Sequence, residues 1–128
     1  MRVLLDTHTL IWWVMSDPRL SSRAIALIED PGAEVVISSI SVLEIAIKSG
    51  RGALSLRATP QQFVQDEIVA NNFQALALTF DHAARVYDLP QIHRDPFDRV
   101  LIAQAMVEGI PIVTDDAMIR RYAVSVEW

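Results

Sequence analysis

Apolar positions along this chain come in two alternating patterns. Short unbroken runs occur at Val3-Leu4-Leu5, Val35-Val36-Ile37, Ala75-Leu76-Ala77-Leu78 and Ile112-Val113. Their length and continuity are those of strands buried on both faces. Longer stretches between them space apolar residues three or four apart, as one face of a helix does. The pattern predicts strands over 2–5, 35–38, 75–78 and 112–113, with an edge strand over 124–126. It predicts helices over 8–15, from Ser21 or Ser22 to about Asp30, over 41–49, 60–72, from a Thr79 cap to about Tyr87, over 97–108, and a short one over 116–122. The punctuation agrees: Asp17-Pro18, Pro31-Gly32, Gly50 with Gly52, Leu89-Pro90 and Gly109 are stops. Thr59-Pro60 and Asp95-Pro96 read as an N-cap followed by a first-turn proline. Strands alternating with helices imply an α/β sandwich with a mostly parallel sheet. At 128 residues the chain is expected to form a single domain over 1–128.

In open parallel sheets ligands bind beyond the carboxyl ends of the strands. Asp6 directly follows the first predicted strand, and Thr114, Asp115 and Asp116 follow the fourth. Two acidic elements therefore share one edge on topology alone. Asp6 and Thr7 are also good helix caps. Glu44 lies among Val42, Leu43, Ile45, Ala46 and Ile47, on a helix apolar nearly all round. Such a helix is buried, and a buried carboxylate needs a partner or a metal. Local uses compete: Ser41-x-x-Glu44 matches a capping box, and Glu44 with Lys48 is an i,i+4 pair in the favourable order. Asp95 is placed to cap the helix after it. Asp98 lies one turn before Leu101 and Ile102 and projects on or beside the buried face. Asp115 and Asp116 point in different directions, so only one of them is expected in a shared site, with Thr114 as a supporting hydroxyl.

Charge and composition narrow the chemistry. A net charge of −5 argues against holding nucleic acid on a broad basic face. It leaves room for a nuclease whose acids are neutralised by metal. Lys48 is the only lysine, so arginines carry most of the positive charge. Arg94, Arg99 and Arg51 are candidate phosphate contacts, with solvated charge the competing use. No cysteine is present, which excludes disulfides, thiolate ligands and a Cys nucleophile. His8, His82 and His93 lack zinc-site spacing, and His8 and His82 read as covers of helix starts. No nucleophile-elbow, Walker A or dinucleotide motif occurs. No run approaches a membrane span and no signal-peptide layout opens the chain, so a cytoplasmic protein is expected. Three or four carboxylates in one cleft would repel one another unless a hard divalent ion balanced them. Mg²⁺ or Mn²⁺ there can orient a water against a phosphodiester and stabilise the leaving oxygen.

The segments VLLDTHTLIWW, SSISVLEIAIK, DPFDRVLIAQA and IPIVTDD together resemble a PIN-domain ribonuclease of the VapC toxin type. The likeness spans nearly the whole chain, and DPFDRVLIAQA followed by IPIVTDD is its most specific part. The resemblance implies a PIN-like three-layer sandwich and a Mg²⁺- or Mn²⁺-dependent endoribonuclease, inhibited by a small antitoxin and commonly a homodimer. It places the four acids on Asp6, Glu44, Asp98 and Asp116, with Thr7, Asp95 and Thr114 as supporting residues. Asp115 fills the position where a basic or amide residue is often seen, so Asp115 and Asp116 both stay open as the fourth ligand. It implies cleavage that leaves a 5′-phosphate and a 3′-hydroxyl, and an antitoxin arginine able to enter the acidic cluster. Trp12, Trp13, Phe63 and Phe73 are candidates for an apolar partner surface, with core packing the competing use.

Two rival readings differ in class. One is an aspartyl-phosphate phosphohydrolase of the haloacid-dehalogenase type, built on Asp6, Thr114 and the Asp115-Asp116 pair. It wants an acid two residues after the nucleophile, where His8 stands. The other is a non-catalytic protein-binding module in which every acid is a cap.

Overall fold

Side chains alternate across β1 (Arg2–Leu5): Val3 and Leu5 face one layer of helices, Leu4 the other. The same alternation in β2 (Glu34–Ser38) sends Val35 and Ile37 with the first set and Val36 with the second. This period of two, buried on both faces, is why the strands read as unbroken apolar runs. The structure is a computed structural model and describes residues 1–50 and 58–128.

One face of the sheet is covered by α1 (Thr7–Val14), α2 (Ser22–Glu29) and α4 (Pro60–Asn71). They bury Leu10, Trp12, Leu27, Ile28 and Val64 against it. The other face is covered chiefly by α6 (Pro96–Glu108), which buries Leu101, Ile102, Ala103 and Ala105. Completing the chain are α3 (Ser39–Gly50), β3 (Gln74–Leu76), α5 (Phe80–Arg85), β4 (Ile112–Val113) and β5 (Val126–Glu127). The architecture is thus the expected α/β three-layer sandwich.

The sheet has the order β3-β2-β1-β4-β5, and all four pairings are parallel. Register sets Leu4 beside Val36 and Ile112, and Leu5 beside Val113. Asp6 and Thr114 therefore leave the sheet side by side. The chain moves from β1 to β2 on one side and reaches β4 on the other. The topological switch point falls between β1 and β4, where Asp6 and Thr114 emerge.

The caps follow sequence chemistry. Ser21, Thr59 and Asp95 cap α2, α4 and α6 with their side-chain oxygens. Gly109 ends α6 at φ 66°, a left-handed conformation that costs a side-chain-bearing residue about 1–2 kcal/mol.

Four expectations need correction. The helix expected from Ser41 starts at Ser39, because the Ser38 hydroxyl accepts from the Ile40 N–H at 3.0 Å and takes over capping. Ser41 is instead buried and bonded to Thr7, so no Ser41–Glu44 capping box forms. The helix expected over 116–122 shrinks to a single 3-10 turn at Ile119–Arg121. The edge strand lies at Val126–Glu127, beyond 124–126, paired with β4. Trp12 and Phe73 are core residues, and Trp13 and Phe63 pack partly buried against that core. The aromatics most open to solvent are Phe80 and Tyr87.

Candidate active site

Asp6 caps α1, its Oδ1 accepting from the Thr9 N–H at 2.7 Å. Its Oδ2 accepts from the Thr114 hydroxyl across the β1–β4 boundary. That same hydroxyl accepts from the Asp116 N–H at 3.0 Å, so Thr114 ties the first acid to the last. Thr7 bonds Ser41 at 3.0 Å, joining the start of α1 to α3.

Glu44 stands one turn into α3 and is 1% exposed. Its Oε2 is ion-paired to Lys48. Its Oε1 is buried and has no hydrogen-bond partner among the described residues. Asp95 caps α6 by accepting from the Phe97 N–H at 2.9 Å, and Asp98 lies in the first turn of that helix, buried. Asp116 is half-buried; its Oδ1 accepts from the N–H groups of Met118 and Ile119 at 2.7 and 3.3 Å. Asp115 faces solvent. Neighbouring positions diverge as expected, and Asp116 is the one that joins the cluster.

The electrostatics show the acids acting on one another. Burial pushes the Asp98 carboxyl up to about 8, and the charges of Asp95, Glu44, Asp6 and Asp116 add to the rise. Four distinct segments of the chain therefore bear on one carboxyl. Burial also raises Asp6, against the hydrogen bonds from Thr114 and Thr9. At Asp116 burial works upward, but the hydrogen bonds from His93, Met118 and Ile119 outweigh it and hold that carboxyl below its ordinary range. Burial works to lower Lys48; its bond to Glu44 and the charges of Glu44, Asp95 and Asp98 prevail and raise it. Three acids, Glu44, Asp95 and Asp98, thus bear on one ammonium.

The ligand atoms gathered here are carboxylate oxygens with the His93 ring nitrogen beside them, and Glu44 Oε1 is buried with no hydrogen-bond partner among the described residues. Hard divalent cations of the Mg²⁺ and Mn²⁺ type take such sets. The residues present fit such an ion: among the described residues, ligand atoms of Asp98, Asp116 and His93 lie within 4.8 Å of one another, with Asp6 tied to Asp116 through Thr114.

Of the three candidate arginines, Arg99 departs from expectation. Arg99 is 9% exposed and turns into the fold; its guanidinium donates to the Pro90 carbonyl at 2.8 Å and the Tyr122 hydroxyl at 3.2 Å. It braces residues 89–93 and is not a phosphate contact. Arg94 is exposed beside the cluster. Arg51 lies outside the described residues.

One site residue escaped the sequence reading. His93 places Nε2 2.8 Å from Asp116 Oδ2 and 3.2 Å from Asp98 Oδ2. The available signal was its place in HRDPFD, two residues ahead of the α6 cap, where the approaching chain must pass the first turn of that helix. His82, read as a helix-start residue, does sit in the first turn of α5: its Nδ1 accepts from the Thr79 N–H at 3.1 Å.

The PIN-domain family model matches residues 3–125. Ribonuclease VapC22 of Mycobacterium tuberculosis is 31% identical over 121 residues, covering 94% of this chain and 91% of the relative. Among solved structures, the VapBC2 complex of Rickettsia felis bound to a promoter DNA fragment matches with a TM-score of 0.75 at 15% identity, over 100% of this chain and 99% of that one. A toxin-antitoxin complex from Klebsiella pneumoniae matches with a TM-score of 0.64 at 21% identity, over 97% and 94% of the two chains. The FitAcB structure from Neisseria gonorrhoeae gives 0.63 at 20% identity, over 97% and 95%.

Proposed function

The chain belongs to the PIN-domain family, and on that premise we propose that it is a metal-dependent endoribonuclease, the toxin of a toxin–antitoxin pair. The observation that carries the reading is the acidic cluster at the β1–β4 boundary: Asp98 and Asp116 share one group of ligand atoms, Thr114 ties Asp6 to Asp116, and Glu44 Oε1 is buried with no hydrogen-bond partner among the described residues. The identity to a ribonuclease across nearly the whole chain supports RNA as the substrate.

In this reading Asp6, Asp98 and Asp116 hold Mg²⁺ or Mn²⁺, and Glu44 completes the set or orients the attacking water. The ion, when bound, activates water and stabilises charge developing on the phosphodiester oxygens. The protein supplies placement. Thr114 fixes Asp6 and the backbone of Asp116, and the α6 cap at Asp95 fixes the first turn that carries Asp98. Exposed Arg94 is the remaining described candidate for a phosphate contact. Cleavage leaves a 5′-phosphate and a 3′-hydroxyl. An antitoxin inhibits by placing a guanidinium among the acids, substituting its charge for the ion's. A homodimer completes the assembly.

The aspartyl-phosphate rival wants an acid two residues after the nucleophile, and His8 stands there. The binding-module rival leaves the cost of burying Glu44 Oε1 without a purpose. The deciding experiment is RNA cleavage by wild type and Asp6→Asn with Mn²⁺ present. The proposal expects loss of cleavage in a variant that still folds; full activity in Asp6→Asn removes it.

A further inference from the structure

His93 is the polar group at the site that a set of carboxylate ligands does not account for. Its ring nitrogens face partners that can each play only one part. Nδ1 lies 3.1 Å from the backbone N–H of Asp95, which can only donate. Nδ1 is therefore the acceptor, and the proton of the neutral ring sits on Nε2. Nε2 lies 2.8 Å from Asp116 Oδ2, a carboxylate oxygen that accepts, with Asp98 Oδ2 3.2 Å away. A histidine that ligates metal through Nε2 needs its lone pair there and its proton on Nδ1. Here that tautomer would set Nδ1–H against the Asp95 N–H. One ligand atom each from His93, Asp98 and Asp116 lies within 4.8 Å of the others, which looks like a three-residue metal site. With this hydrogen bonding the ring presents a proton, not a lone pair, from Nε2.

The ring is also firmly mounted. The His93 N–H donates to the Tyr122 hydroxyl at 2.7 Å, and that hydroxyl donates to the Pro90 carbonyl at 2.9 Å. Arg99 bonds both the carbonyl and the hydroxyl.

We infer that His93 is a positioning residue whose Nε2–H holds the Asp116 carboxylate in place beside Asp98 for a divalent cation, without itself touching the cation. This rests on the metal reading above. Outer hydrogen-bond partners of metal ligands are worth about 10–100-fold in affinity, so loss of the bond has a measurable effect. The two halves of the ring can be removed separately. In His93→Gln the amide N–H₂ can stand where Nε2 stood and keep the bond. In His93→Asn the amide oxygen can stand where Nδ1 stood and accept from Asp95, but the side chain stops short of the carboxylates.

The test has two parts. Long-range ¹H–¹⁵N correlation on the metal-free wild type should show the His93 proton on Nε2; a proton on Nδ1 alone overturns the inference whether or not any metal binds. Calorimetric titration with Mn²⁺ should then rank wild type and His93→Gln within about threefold of each other, with His93→Asn and His93→Ala about 10-fold weaker or more. Pulsed EPR of the Mn²⁺-loaded wild type should show no directly bound nitrogen. Equal affinity in all four proteins, or a nitrogen bound to Mn²⁺, overturns the inference. A wild type that binds no Mn²⁺ is a different failure: it overturns the metal reading itself, and this inference with it.

Discussion

Thr114 donates its hydroxyl proton to Asp6 across the boundary between two parallel strands, from a position 108 residues later in the chain. The contact is fixed by register: Leu5 pairs with Val113, so the next residue of each strand emerges at the same point. Because the hydroxyl also accepts from the Asp116 N–H, one side chain sets two acids. Thr114→Val keeps the shape and removes both bonds. It should lower stability by about 1–3 kcal/mol, since it leaves Asp6 and a backbone N–H poorly satisfied. It should lower activity about 10–100-fold, while Thr114→Ser restores most of both. Denaturant unfolding and RNA cleavage on the same preparations check this.

Asp98 gives a pH dependence with a definite sign. Its folded carboxyl is raised from 3.8 to about 8, so the metal-free folded protein keeps a proton that the unfolded chain has lost. Stability from this group is fully present below the unfolded value and declines as pH rises toward about 8. The metal-free protein should lose melting temperature over that window. Asp98→Asn should flatten the decline. Cation binding must displace the proton, so Mn²⁺ affinity should rise with pH up to about 8. Titration calorimetry in buffers of different ionisation enthalpy should detect protons released on binding below that pH.

Asp115 and Asp116 should separate cleanly. Asp115→Asn alters an exposed carboxylate and should leave metal affinity and cleavage within about twofold, as exposed single charges contribute little. Asp116→Asn should weaken Mn²⁺ binding and abolish cleavage. Calorimetry and cleavage on the two variants decide which acid is the ligand.

Arg99 should register as a structural residue. Arg99→Ala strips donors from the Leu89 and Pro90 carbonyls and from Tyr122, and should cost about 2–4 kcal/mol. Tyr122→Phe should cost about 1–3 kcal/mol, as it leaves the His93 N–H without its acceptor and removes the hydroxyl's bond to the Pro90 carbonyl. Urea unfolding measures both.

The elements that sequence resolved best were those with both a period and a cap. Asp95-Pro96 and Gly109 bracket α6 with little ambiguity, and Asp98 could be placed on its inward side from the spacing to Leu101. Asp6 and Thr114 were assigned to one sheet edge from strand order alone. The register that joins them belongs to the pairing of β1 and β4, which no local pattern encodes. Ser41 misled because its match to a capping box was local, while the Ser38 hydroxyl and the contact to Thr7 are tertiary. Arg99 misled for a similar reason: an arginine beside an acidic motif reads as a phosphate contact until the carbonyls of Leu89 and Pro90 are seen around it. His93 lies in a loop without periodicity, and its role depends on where that loop passes the start of α6.

The role of the gathered acids turns on whether they serve a cation that cuts RNA. The direct measurement is cleavage of an end-labelled RNA by the purified wild-type chain across a Mg²⁺ or Mn²⁺ titration, with a chelator control. Cleavage should appear with the ion, vanish with chelator, and leave 5′-phosphate ends. Cleavage that persists undiminished in excess chelator, or none at any ion concentration from folded protein on a broad RNA pool, would contradict it.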